Sequence, residues 1–98
     1  MRESVVEKYL HEQVEARGGT TRKMKGRIND CDRLVIWPIV VGRTTKHYKA
    51  DIHLVEVKAP GKKPRPGQVR EHARLRELGC TVIVIDSKPA VDAYVRHR

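Results

Sequence analysis

The spacing of apolar residues along the chain switches from helical to alternating and back, and each switch predicts an element. Residues 3 to about 17 carry Val5, Val6, Tyr9, Leu10, Val14 and Ala16 at helical spacing and stop at Gly18-Gly19, a glycine cap. Glu3 and Glu7 lie on the edge of that stripe beside Leu10 and Val14, and Glu15 lies on the outer face. Thr20 to Arg27 is polar and basic, with a short strand about Thr21 to Met24. Asp32 opens a strand through Arg33-Leu34-Val35-Ile36-Trp37, with a break predicted at Pro38 before Ile39-Val40-Val41. Gly42 to Lys49 reads as a hairpin connection into a strand that ends at Lys58.

Pro60 to Gly67 is a proline-rich basic loop. Gln68 to Leu78 follows as a helix closed by Gly79, with Gln68 on the stripe of Leu75 and Leu78, His72 one turn beyond, and Arg70 and Arg74 opposite. Cys80 to Ile85 is a continuous apolar run, the pattern of a strand covered on both faces. After Asp86-Ser87, Lys88 to Arg98 is expected to form a terminal helix with Ala90, Val91, Tyr94 and Val95 inward. The order is α-β-β-β-α-β-α, an α/β chain expected to form a single domain over residues 1–98. No internal repeat or linker interrupts it.

The departure from this pattern is His53-Leu54-Val55-Glu56-Val57-Lys58. Alternation puts Ile52, Leu54, Glu56 and Lys58 on one face and His53, Val55 and Val57 on the other, so a carboxylate and an ammonium continue an apolar face. Buried charges require a partner, a metal or water at the strand end, and Ala59-Pro60-Gly61 ends the strand there. Asp32 repeats the feature at the start of the preceding strand, in line with Leu34 and Ile36. Antiparallel pairing brings the start of one strand beside the end of the next, so Asp32 and Glu56 are expected to be spatial neighbours.

Charge narrows the partner. The 98 residues hold 21 Lys and Arg against 12 Asp and Glu, a formal charge of +9 and a pI of about 10, which favours a polyanion, usually nucleic acid. Arg22, Lys23, Lys25 and Arg27 in the first basic segment, with Lys62, Lys63 and Arg65 in the second, are the candidate phosphate contacts. Three Tyr, one Trp and no Phe argue against single-strand binding by base stacking. Apolar runs fall far short of the ~20 residues needed to cross a bilayer, and no signal-peptide core opens the chain, so a cytoplasmic protein without membrane contact is expected. Cys31 and Cys80 read as small buried hydrophobes, and the histidines, which form no metal-binding spacing with them, as surface or packing residues.

Glu7, Asp32, Glu56, Lys58 and Gln68 are thus polar groups on core-facing stripes. Carboxylates are the preferred ligands of Mg²⁺ and Mn²⁺, and such a cation polarises a scissile phosphate and lowers the pKa of bound water. Lys58 is suited to positioning the attacking water or offsetting charge on the phosphorane. A lone Glu-x-Lys tripeptide is common by chance and equally describes a strand-end ion pair; the additional acids, the glutamine and the basic charge give it meaning.

The ordered set Glu7, Gly18-Gly19, Lys23, Asp32-Arg33-Leu34-Val35-Ile36-Trp37-Pro38, Val55-Glu56-Val57-Lys58-Ala59-Pro60-Gly61, Pro66 to Gln68 and Arg70-Glu71-His72 resembles the VRR-NUC family. These are the virus-type replication-repair nucleases of the PD-(D/E)xK superfamily, and the resemblance spans roughly residues 3 to 93. It implies a restriction-endonuclease-like core, a mixed sheet flanked by helices. It further implies that Asp32, Glu56 and Glu7 hold Mg²⁺ or Mn²⁺, that Lys58 is the catalytic lysine and that Gln68 is the family's glutamine, with no small-molecule cofactor. Where the family usually has proline before the aspartate, this chain has Cys31.

Small stand-alone members are often phage-encoded and resemble archaeal-type Holliday-junction resolvases. A structure-specific DNA endonuclease acting on four-way junctions or related branched DNA is therefore expected, working as a C2 homodimer because a symmetric junction needs two cuts. The 39 to 54 hairpin or the last helix would supply the dimer interface. Two alternatives share these residues: a non-catalytic basic DNA-binding phage protein, and a nuclease on simple duplex or single-stranded nucleic acid.

Overall fold

A computed structural model describes residues 2–26, 29–40 and 48–98, apart from the side chains of residues 39, 40, 48 and 49. Arg27 and most of the expected Gly42 to Lys49 connection lie outside the described residues. The elements run α1 (Glu3–Ala16), β1 (Thr20–Lys23), β2 (Arg33–Val40), β3 (Tyr48–Val57), α2 (Pro66–Glu77), β4 (Thr81–Ile85) and α3 (Lys88–Val95). The expected order is the observed one.

The strands form one mixed sheet, in the order β1-β2-β3-β4. The pairings β1 with β2 and β2 with β3 are antiparallel, while β3 and β4 are parallel, with α2 as the crossover. On one face, Val6, Leu10 and Val14 of α1 and Val91 and Val95 of α3 meet Val35, Trp37, Val55, Val57 and Ile85 of the sheet. Each such side chain contributes about 1.5–3 kcal/mol by leaving water, and this layer is the core. The end of α1 is locked close to β2: a Cβ on Gly19 would lie 2.8 Å from the Trp37 ring and 2.9 Å from the Ile36 carbonyl oxygen. Ser87 caps α3 by accepting a hydrogen bond from the Ala90 amide at 3.2 Å. Among the described residues, no helix is long and apolar enough to cross a membrane.

Several local expectations are corrected. The core face of β3 is the one bearing His53, Val55 and Val57, all buried, whereas Ile52 on the face of Glu56 is 50% exposed. Alternation identifies two faces but not which has more helix above it; α1 and α3 share one face, and α2 covers only part of the other. Pro38 does not break β2, which runs on paired with β3 through Val40. The last β1 pairing is Thr20 with Ile36, so at Pro38 the strand has a neighbour only on the β3 side, and a free edge accommodates proline. β4 lies at the edge of the sheet with Val84 38% exposed, so its unbroken apolar run is not covered on both faces. Val5, Ala16 and Leu78 are exposed members of their helical stripes.

These packing differences have a direct stability signature. Val55→Ala should cost roughly 2–3 kcal/mol and Ile52→Ala under about 1 kcal/mol, measured by urea unfolding. Equal losses would contradict the assignment of the core face.

Candidate metal centre

The candidate site lies at the end of the sheet where β1 and β3 finish and β2 begins. Here β2 and β3 are clamped by the residue before β2. The Asp32 amide donates to the Val55 carbonyl at 3.1 Å, and Asp32 Oδ2 accepts from the Val57 amide at 2.8 Å. Arg33 is registered with Val55, so Asp32 stands across from Glu56, and their carboxyl groups lie within hydrogen-bonding reach. The sheet closes on both sides of this point: the Met24 amide donates to the Asp32 carbonyl at 2.8 Å, and the Lys58 amide donates to that of Ile85 at 2.8 Å.

Glu56 is 1% exposed, buried on the face that α2 covers. Burial, together with the Asp32 carboxyl and the more distant charge of Glu3, pushes its carboxyl up to about 8, although Lys58 opposes this. The Lys58 ammonium is 3.8 Å from Glu56 Oε2. On the other side, Glu56 Oε1 is 3.5 Å from His72 Nε2 of α2. Neither of these buried atoms has a hydrogen-bond partner among the described residues. Burial, with the cationic Arg76 and Lys58 nearby, lowers the His72 pKa and favours the neutral ring. Cys31 Sγ completes the surroundings: together with a Glu56 oxygen and a His72 nitrogen it forms a group whose ligand atoms all lie within 4.8 Å. Burial and the charges of Glu56, Asp32 and Asp30 push the Cys31 thiol up to about 12.

Asp32, Glu56 and Lys58 are therefore brought together as expected. Glu7 is placed differently: its carboxylate accepts from Arg33 Nε at 2.7 Å and lies 3.3 Å from Lys23 Nζ, an ion-paired arrangement on the α1 side of the sheet. The helical acid whose charge reaches Glu56 is Glu3, one turn earlier. Gln68 is buried, but its Oε1 accepts from the Arg65 amide at 2.9 Å, so it caps the start of α2.

Among the basic residues, Arg22, Lys25, Lys62, Lys63 and Arg65 are exposed, as is Lys23 despite its contact with Glu7. They flank the site, because β1 and β3 both run into basic segments at that end. Two neighbours escaped the sequence reading. His72 had a signal, one turn beyond Gln68 on the inward stripe; Cys31 had only its position beside Asp32.

The residues fit a divalent cation. Two carboxylates converge at a sheet end, one with an orphaned buried oxygen, and proximity to a second acid raises the cost of ionisation. A cation would offset that cost with the hard oxygen ligands that Mg²⁺ and Mn²⁺ prefer.

Comparison with known proteins bears on the fold and the family. A scan against protein-family profiles finds no match. The chain is, however, 44% identical over 90 residues to "Putative nuclease p44" of Acyrthosiphon pisum secondary endosymbiont phage 1, covering 90% of this chain and 86% of that one. A solved structure described as a VRR_NUC domain superposes with a TM-score of 0.80 at 40% identity, covering 97% of this chain and 95% of the other. The fold and site define a restriction-endonuclease-like α/β domain. Within that class, the chain belongs to the VRR-NUC family of nucleases.

The raised Glu56 carboxyl has a sign that can be measured. A folded-state pKa of about 8, above the ordinary value of 4.5, means that the metal-free fold is favoured while Glu56 holds its proton. That advantage is present below pH 4.5 and is lost as pH rises toward 8. Glu56→Gln should therefore raise the Tm of the metal-free protein by several degrees at pH 8 relative to wild type and by much less at pH 5, as read by thermal unfolding in EDTA.

Proposed function

We propose that this chain is a divalent-metal-dependent endonuclease that hydrolyses phosphodiester bonds in DNA, with branched molecules such as four-way junctions as its preferred substrates. The observation that carries the reading is the meeting of Asp32 and Glu56 across the β2–β3 pairing, with Lys58 beside Glu56. Asp32 and Glu56 would hold Mg²⁺ or Mn²⁺, and Glu3 rather than Glu7 is the helical acid nearest in charge to them. When bound, the cation supplies Lewis-acid polarisation of the phosphate and an acidified water.

The chain's own groups supply the rest. The Asp32 carboxylate is held in place by the Val57 amide, so it needs no reorganisation when the substrate arrives. Lys58, at the strand end with its side chain 16% exposed, donates to the attacking water or to a phosphoryl oxygen as negative charge grows. Arg22, Lys23, Lys25, Lys62, Lys63 and Arg65 steer and hold the phosphate backbone on either side of the scissile bond.

The "nuclease" in the printed name of the phage relative supports the activity, and the basic segments flanking the acids support a nucleic-acid substrate. Branched DNA and a C2 homodimer are favoured on economy, because paired strands of a junction require paired sites and each chain carries one such cluster among the described residues.

The test is cleavage of labelled four-way junctions, plain duplex and single strands of matched sequence, with Mg²⁺ or Mn²⁺. Wild type should nick the junction fastest and lose activity in EDTA. Asp32→Ala and Glu56→Ala should abolish cleavage, and Lys58→Ala should slow it about 10²–10³-fold while the variants still bind DNA. Faster cutting of simple duplex would move the substrate assignment, and salt-sensitive binding without cleavage in any divalent metal would favour a non-catalytic binding protein.

A further inference from the structure

Of the orphaned pair Glu56 Oε1 and His72 Nε2, the nuclease reading uses the carboxylate and leaves the histidine without a role. Both atoms are buried, lie 3.5 Å apart and have no hydrogen-bond partner among the described residues. Ligand atoms about 2.0–2.2 Å from a tetrahedral Zn²⁺ are separated by about 3.3–3.6 Å, so this pair already stands at the edge length of a zinc tetrahedron. Cys31 Sγ lies within 4.8 Å of a carboxylate oxygen of Glu56 and a ring nitrogen of His72, and the three residues are all at most 3% exposed. A thiol, an imidazole and one carboxylate form a borderline-soft set that suits Zn²⁺ and disfavours Mg²⁺. The fourth tetrahedral position would be left to water.

We propose that Cys31, Glu56 and His72 form a zinc site that shares Glu56 with the Asp32 centre, so that Zn²⁺ there and Mg²⁺ or Mn²⁺ at Asp32 compete and zinc inhibits the nuclease.

Charge and proton accounting favour zinc. Binding forms the Zn–S and Zn–O bonds as the Cys31 S–H proton and the proton held by the Glu56 carboxyl leave to solvent, while His72 coordinates as the neutral ring. With one thiolate and one carboxylate, the Zn²⁺ centre is neutral, so no net charge is added to the buried pocket. A thiol held protonated beside acids is not an obstacle, because a coordinated thiol is deprotonated outright. Occupation would take Glu56 Oε1 as a zinc ligand, so the two centres would draw on the same carboxylate. Zinc binding stands independently of the nuclease reading, whereas inhibition rests on it.

The experiment has a spectroscopic arm and a kinetic arm, both on the full chain. In the first, Co²⁺ is titrated into metal-free protein as a probe of thiolate ligation. One Co²⁺ per chain should develop a thiolate-to-metal charge-transfer band that Zn²⁺ bleaches. The band should vanish in Cys31→Ser, persist in Cys80→Ser and need at least about tenfold more Co²⁺ in His72→Gln. X-ray absorption at the zinc edge of wild type, which needs no variant to fold, should show one sulfur scatterer at about 2.3 Å. No sulfur at the zinc edge, or a band that survives Cys31→Ser, overturns the site.

In the second arm, Zn²⁺ is added to Mn²⁺-dependent cleavage reactions. Wild type and Cys80→Ser should be inhibited, with the midpoint moving at least about tenfold higher in Cys31→Ser and His72→Gln. Zinc bound through Cys31 with cleavage unaffected overturns the competition. Absence of cleavage under every metal, with the cobalt band intact, overturns the nuclease reading and the inhibition while the zinc site stands.

Discussion

The pairing of β2 with β3 is the constraint on which everything else in this protein depends. It is anchored by the residue that precedes β2: the Asp32 backbone amide bonds to Val55, and its side chain takes the amide of Val57. One residue thus closes the ladder and presents a carboxyl toward the partner strand. Because antiparallel register is discrete, a slip of one residue would move Asp32 to the opposite face from Glu56 and would expose Val55 and Val57 in the same step. Stability and the candidate site are consequently enforced by the same hydrogen bonds, and the apolar layer under α1 and α3 supplies the energy that keeps the register from slipping.

The two faces of the sheet divide these duties. One is a conventional core with two helices over it, into which polar side chains such as Thr21 and His53 intrude, the latter tied to Tyr94 and Asp51. The other has α2 laid over one end, and there Glu56, Gln68 and His72 are buried alongside Cys31 and Val82. Burying an acid against a second acid costs stability in the metal-free chain, and the orphaned Glu56 and His72 atoms show where that cost is concentrated. In a small fold whose described residues form one sheet and three helices, a cation held between the acids would offset that cost.

The first turns of α1 show how narrow the margin is between structural and functional acids. Glu3 and Glu7 are one turn apart on the same edge of one helix, so sequence periodicity treats them as equivalents. The fold separates them. Arg33 and Lys23 reach Glu7 and neutralise it, leaving Glu3 as the acid whose charge is felt at Glu56. The difference is made by Arg33, a β2 residue that alternation sends to the α1 side of the sheet while its neighbour Asp32 faces the other way.

The sequence by itself determined the order of the elements, the identity of Asp32, Glu56 and Lys58 as a group, and the family. The first and second follow from local rules: apolar spacing fixes element type, and antiparallel pairing of adjacent strands brings the start of one to the end of the next. The tertiary structure alone decided which face of β3 is the core, that β4 is an exposed edge, that β2 runs through Pro38, and that Glu7 is held in ion pairs while Gln68 caps a helix. Each depends on how many neighbours an element has and on which side, which no periodicity records. It also brought Cys31 and His72 to Glu56: their separation in the chain carries no ligand spacing, and only the crossover from β3 through α2 to β4 lays the histidine over the acid.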